Sequence, residues 1–400
     1  MTHAVFDALN PPPVADVHLD LESYDADADL MVLNLGPQHP STHGVFRVKL
    51  VLDGEVIVKA VPYPGYLHRG VEKLLEKLTY AQQTPIVDKN DYLSPMINEQ
   101  VLNMAFEAGL GIEVPRRARW LRTILAELQR LASHLVAIGT FVMDVGGSIG
   151  GGASMFMYTF RDRELILDLF EDLTGGRFHY NTHQVGGNRH DVPVGWDVSI
   201  RAACDQIERS LDEWDVMTVK NGVFRDRTIG VGVLSRDLAL QLGASGPVMR
   251  ASGIDLDLRR DAPYHLYDEL DVQVATGTGG DCFTRYRLRA VECRESIRLI
   301  RILLEDVPEG PLCSLKPSKG PTAVKIKDGQ WYVAVEGPRG EIGTYLIAGG
   351  NKGMSPYRLK IRPPSLHALA TVPYLLPGHT LSDAVAILGS LDPIMGEVDR

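Results

Sequence analysis

Two histidines four residues apart, His39 and His43, lie in the stretch Gly36-Pro37-Gln38-His39-Pro40-Ser41-Thr42-His43-Gly44. Prolines fix φ and remove amide donors, and flanking glycines permit tight bends, so this stretch reads as a stiff loop. Imidazole titrates near neutrality, at about pH 6.5 when unperturbed, which makes the loop a candidate proton-handling element. A structural loop whose histidines bond only to backbone fits the same residues. Tyr92 sits in a polar connection, where it is either a phenolic hydrogen-bond donor or an aromatic at the edge of the core. Asp144 falls in the last turn of a long helix, where the dipole disfavours an anion. Either it is a fortuitous carboxylate or a nearby cation compensates it, and a histidine would serve.

The elements that must hold these groups follow from pattern. Leu30–Leu35 reads as a strand entering the histidine loop, and 45–52 and 55–61 as a hairpin about Asp53-Gly54. A helix is expected from about Gly65 to Gln83, with Leu74, Leu75 and Leu78 on its apolar face and Pro85 stopping it. Another runs from Ser94, as cap, to Ala108 with Gly109 just past its end. After Pro115, apolar residues from Trp120 to Val142 recur at three and four, a stripe suited to bundle packing. Helices over 154–173 and 195–219 flank an irregular Gly- and His-rich stretch with His179, His183 and His190. The helix over 284–307 carries six arginines from Arg285 to Arg301, either a salt-bridged solvated face or a docking face for an acidic partner. Segments 324–326, 331–336, 342–347 and 357–361 alternate between Gly-rich turns as an antiparallel sheet, and a last helix starts at Ser382.

The fold class is therefore α+β: a helical bundle core with a small N-terminal hairpin sheet and a C-terminal antiparallel sheet. The organisation expected is an acidic arm over 1–30, a β region with the histidine loop over 31–65, the bundle over 66–310, and a C-terminal β region over 311–400. Residues 1–30 hold seven acids and no Lys or Arg, unlike a secretory signal. The run Leu135–Met143 is far short of the ~20 apolar residues that span a bilayer. A net charge of −10 argues against nucleic acid as a partner. Cys204, Cys282, Cys293 and Cys313 make no C-x-x-C pair, so neither a cluster nor structural zinc is expected on this chain.

Six motifs occur in order: GPQHPSTHG (36–44), GYLHRGVEKL (65–74), DYLSPM (91–96), RLASHL (130–135), SPYRLKIRPPS (355–365) and LDPIMGEVDR (391–400). From about residue 30 onward the chain resembles the quinone-site family of subunits in proton-pumping NADH:quinone oxidoreductase, respiratory complex I, lettered D in bacteria. The resemblance implies a peripheral subunit on the cytoplasmic side of the inner membrane. It implies a partner iron–sulfur subunit that holds the terminal [4Fe–4S] cluster, with quinone entering between the two. It assigns the two ends of the quinone headgroup to His43 and Tyr92, and the acidic partner of that histidine to Asp144. It places Arg69 and His179 near the partner's cluster, as neighbours and not ligands. Lys89 stands where many members carry arginine, and Gln184 where an arginine before the Gly-Gly pair is usual. Residues 311–323 look shorter than in many relatives.

Physical logic agrees with that assignment. Quinone reduction takes two electrons and two protons, and a carboxylate beside a histidine favours its cationic form. Two rival readings follow from the same resemblance. The family is related in fold to the large subunit of nickel–iron hydrogenases, whose centre needs two C-x-x-C pairs. Here Asp91, Ser94, Ile394 and Glu397 stand in those places, and soft thiolates are missing. The other rival is a non-catalytic scaffold; the discriminator is whether His43, Tyr92 and Asp144 converge on a cavity wide enough for a quinone ring, and a buried Tyr92 whose hydroxyl is bonded to local backbone favours the scaffold.

Overall fold

A computed structural model describes residues 30–39, 42–146, 151–315 and 324–400. The acidic arm up to residue 29, Pro40-Ser41 of the histidine loop, and 316–323 lie outside the described residues. Strands β1 (Met31–Leu35), β2 (Arg47–Asp53) and β3 (Val56–Tyr63) form an antiparallel meander. Asp53 pairs with Val56 across a two-residue turn whose Gly54 has φ +60°, the hairpin expected from Asp-Gly. Val48, Leu50 and Ile57 face the core, and the histidine loop is the β1–β2 connection.

The helix expected over 65–83 is broken into α1 (Val71–Leu75) and α2 (Tyr80–Val87). Thr79 and Gln82 form a capping box, a start signal inside a single run of apolar spacing. Pro85 lies within α2 and does not end it. Leu75 is buried, whereas Leu74 is exposed. α3 (Pro95–Leu110) runs past Gly109 to the left-handed Gly111. Gly109 serves packing instead: a Cβ there would lie 2.8 Å from Ile326 Cγ2.

α4 (Arg116–Val145) is the axis of the molecule, packed by α5 (Gly152–Thr174) and α7 (Cys282–Leu303), with α6 (Trp196–Met217) against α5. It is buried nearly all round from Trp120 to Val142, not on one stripe, because its charged residues Arg122, Glu127, Arg130 and His134 find partners inside. Between α5 and α6 the His-rich stretch folds into a short hairpin, β4 (His183–Gln184) with β5 (Gly187–Asn188). On α7, Arg285 and Arg289 enter the core, while Arg294, Arg298 and Arg301 pair with acids at the surface.

The C-terminal sheet has three strands, β6 (Gln330–Gly337), β7 (Gly340–Gly350) and β8 (Ser355–Arg362), antiparallel in that order. Residues 324–326 join no ladder; Ile326 instead donates a single backbone bond to Gly353 and packs on Gly109. The chain closes through α8 (Pro364–Leu369), α9 (Leu381–Leu391) and α10 (Met395–Asp399). One apolar cluster runs from Leu35 through α4 to Val398, so the first strand and the last helix meet in the same core.

Candidate functional site

The histidine loop is closed by Thr42, whose hydroxyl donates to the carbonyls of His39 (2.7 Å) and Gly44 (2.9 Å). His39 is exposed and contributes its carbonyl to this closure. His43 holds φ +52°, a left-handed conformation that costs a non-glycine residue about 1–2 kcal/mol. The strained turn aims its ring at the end of α4, where Nε2 and Asp144 Oδ2 share a short hydrogen bond. Only 11% and 7% of the two side chains remain exposed, so solvent screens the pair weakly. This contact answers the dipole problem of a carboxylate in the last turn. Gly389 of α9 makes room for it: a Cβ there would stand 2.7 Å from Asp144 Oδ2 and 3.1 Å from His43 Nε2.

Tyr92 lies between α2 and α3. Asp91 shapes this turn by accepting from the amides of Leu93 (3.1 Å) and Ser94 (3.3 Å). Ser94 is not the side-chain cap expected of it; its hydroxyl donates to Asp91 Oδ2. The Tyr92 ring is half-buried, 6.1 Å from the ring of Phe178. Among the described residues its hydroxyl has no hydrogen-bond partner, so it is not tied to local backbone. Burial pushes the phenol above its usual range, with Arg339 opposing and Asp91, Asp392 and Glu397 reinforcing. Tyr92 is thus a firmly protonated donor.

α10 brings the two loops together. A Cβ on Gly44 would meet Met395 Cγ at 3.4 Å, and a Cβ on Gly396 would meet Tyr92 Cδ1 at 3.3 Å and the Asn90 carbonyl oxygen at 2.5 Å. Consecutive residues of the tail therefore touch the histidine loop and the tyrosine loop. The remaining assigned residues sit around them. Asp399 of the tail accepts from the amides of Gly65 (2.7 Å) and Leu67 (2.6 Å), holding the turn that exposes Arg69. Lys89 is exposed, its ammonium donating to the Pro85 carbonyl at 2.8 Å. His179 Nδ1 is 3.4 Å from Asp88 Oδ2, and its ring packs 4.6 Å from that of Phe178. A shallow depression of about 380 Å³ lies elsewhere, between Asp328–Gln330 and Ile347–Gly349, and involves none of these residues.

Sequence reading missed the buried polar group behind Tyr92. Arg339, in sequence only the middle of a Pro-Arg-Gly turn, is buried at the tip of the β6–β7 hairpin. It donates to Asp91 Oδ2 (2.8 Å) and Ser133 Oγ (3.0 Å), and its Nε lies 3.3 Å from Asp392 Oδ2. An arginine in a tight hairpin turn offers no signal that it points inward. Gly389 and Gly396 had one: glycine inside a helical pattern marks close approach. Asp91, Ser94, Ile394 and Glu397, the positions compared with thiolates, gather around Arg339 and α8. There Ser365 donates its amide to Glu397 (3.0 Å) and accepts from that of Ile394 (3.1 Å).

Comparison with known proteins adds an independent line. Residues 150–400 match the family model described as the respiratory-chain NADH dehydrogenase 49 kDa subunit. The chain is 44% identical over 368 residues to the D subunit of NADH-quinone oxidoreductase from Desulforamulus reducens, covering 92% of this chain and 98% of that one. It is 43% identical over 395 residues to the D subunit from Methylacidiphilum infernorum, covering 94% and 93%. The H 1 subunit of NAD(P)H-quinone oxidoreductase from Gloeobacter violaceus is 44% identical over 393 residues, covering 93% and 98%.

Proposed function

The chain belongs to the 49 kDa subunit family of respiratory-chain NADH dehydrogenase, and on that premise we propose that it forms the quinone-reducing site of an NADH:quinone oxidoreductase. It works as one subunit of that complex. An iron–sulfur partner supplies the electrons from its terminal cluster, and the assembly sits peripherally on the cytoplasmic side of the inner membrane. Among the described residues no helix is long and apolar enough to cross a membrane, in keeping with attachment through other subunits.

The observations that support this reading are the pairing of His43 with Asp144, a Tyr92 hydroxyl that is unclaimed among the described residues, and neighbouring residues of α10 that touch both loops. With Nε2 taken by Asp144, His43 has Nδ1 left for one carbonyl of a quinone headgroup; the Tyr92 hydroxyl serves the other. Both hold the oxidised ring and give protons once it becomes a strong base on reduction. Loss of its proton removes the charge that holds His43 to Asp144. That change in a buried pair is the first local event in coupling to proton pumping. Arg69 and Lys89 place fixed positive charge near the partner's cluster, which favours its reduced form. His179, 3.4 Å from Asp88, is the third residue assigned beside that cluster. A Tyr92 hydroxyl that is not bonded to its own backbone favours this reading over a scaffold role.

Tyr92→Phe in the assembled complex tests the reading. Quinone reduction falls on the order of a hundredfold, while reduction of the partner's cluster by NADH is kept. Equal loss of both would remove the assigned role.

A further inference from the structure

Behind Tyr92 lies a group of buried charges whose polar atoms are not fully matched. Glu397 is 1% exposed and Arg339, Asp392 and Arg289 hardly more. Among the described residues, Glu397 Oε2, Asp392 Oδ2, Arg339 Nε, and Arg289 Nε and Nη2 have no hydrogen-bond partner. Arg339 Nε and Asp392 Oδ2 are within ion-pair distance yet misaligned for a bond. Donors and acceptors left open side by side in an interior are the usual sites of ordered water. The group adjoins the phenol: Gly396, the residue before Glu397, packs on the Tyr92 ring, and Asp91, the residue before Tyr92, is bonded to Arg339.

Resting on the quinone-site reading, we propose that Glu397 is the acid that re-protonates Tyr92 after each quinone reduction, through water held among Arg339, Asp91 and Asp392. Glu397 Oε1 accepts from the Ser365 amide, which leaves Oε2 to carry the acidic proton, pointing at no protein acceptor among the described residues. Burial first, then the charge of Asp91, push this carboxyl up to about 8, against the pull of Arg339. Near neutral pH it is an acid still holding its proton. When Tyr92 has given its proton to the reduced quinone, the Oε2–H bond of Glu397 breaks and the phenol O–H bond re-forms. Intervening water accepts one proton and releases another, so it is unchanged. The electrons come with the quinone's reduction and none passes through Glu397. The product carboxylate faces Arg339 until a solvent proton reloads it. The charged and titratable groups around it are Asp91 and Tyr92 from the α2–α3 turn, Arg339 from the hairpin and Asp392 before α10. His367 of α8 is turned to the Leu242 carbonyl.

Glu397→Gln in the assembled complex tests this, because it keeps the shape and the acceptor for Ser365 and removes the acid. Quinone turnover is expected to fall on the order of tenfold to a hundredfold, with cluster reduction by NADH and KM for quinone kept. Wild-type turnover should decline above about pH 8, and the variant should lack that limb. Wild-type turnover and pH profile in the variant would overturn the proposal. If Glu397→Gln does not assemble, Glu397→Asp decides: slower turnover with a displaced alkaline limb supports it, and an unmoved limb overturns it. Tyr92→Phe separates the two readings. If it abolishes quinone reduction while Glu397→Gln is silent, only the re-protonation role fails; if Tyr92→Phe is silent, the site reading itself fails.

Discussion

Two buried charge groups in this molecule have similar composition and opposite states of completion. The first threads α4, α7 and the β6 strand. Glu127 accepts from Tyr267 (2.5 Å), Ser296 (2.6 Å) and Arg259 (3.3 Å), and Arg250 bridges Glu292 (2.8 Å) and Glu336 (2.7 Å). Arg259 is bonded to Asp257 at 2.7 Å and His134 to Glu292 at 2.9 Å. Among these, only His134 Nδ1 is unmatched. Burial alone would raise Glu292, yet Arg250 and the His134 hydrogen bond hold it well below the usual carboxylate range. The second group, Arg339, Asp91, Asp392, Glu397 and Arg289, leaves five atoms open; burial and Asp91 hold Glu397 up, as burial and Asp257 hold Glu336 up in the first group, so the groups differ in open atoms and not in the direction of their carboxyls. A completed ion network holds its members in place; an incomplete one leaves donors and acceptors open to ordered water. Scaffold and chemistry are thus separated by hydrogen-bond accounting, not by residue type.

The largest test of that contrast is Arg250→Met. It takes the cation from Glu336 and leaves Glu292 with His134 alone, while Asp257 keeps Arg259, and removing one partner of a buried network costs about 3–5 kcal/mol. Unfolding should show that loss near neutral pH and less of it in acid, where the stranded carboxylates take up protons in the folded state; a shift under about 1 kcal/mol would erase the distinction between the groups. Next in size is the pH dependence of stability in Glu397→Gln. The folded state of the wild type keeps the Glu397 proton up to about 8, while the unfolded chain releases it near the ordinary 4.5. Over that window the folded state binds more protons, so wild-type stability falls as pH rises. The variant should lose this slope and gain on the wild type from about pH 5 to about pH 8 in denaturant titrations, at a rate set by linkage. Parallel curves would place Glu397 with the fixed charges. The smallest is Gly389→Ala. Inside a helix this exchange ordinarily stabilises by about 1 kcal/mol. Here the methyl meets Asp144 Oδ2 and His43 Nε2, and overpacking should cost about 1–3 kcal/mol, with slower quinone reduction. A stabilised, fully active variant would show that the pair tolerates displacement.

Much of the fold was legible because periodicity is local. The α4 span, the β1–β3 meander and the hairpins of the C-terminal sheet follow from spacing, Pro and Gly. The split at Thr79 and the non-strand at 324–326 were not, since a capping box competes with apolar spacing and a ladder needs a neighbour. In the site, Asp144 was legible as an anion at the wrong helix end, and the His43 loop as a stiff carrier. Arg339 was not, because a turn residue's burial depends on what packs over the turn.

By itself, the sequence determined which groups can exchange protons and which local elements carry them, through side-chain chemistry, φ restriction and helix polarity. Tertiary structure decided that His43 meets Asp144, that Gly389 and Gly396 open the space for the pair and for Tyr92, and that Glu397 keeps its proton. Those outcomes depend on desolvation and on contacts between segments far apart in the chain, which no local pattern encodes.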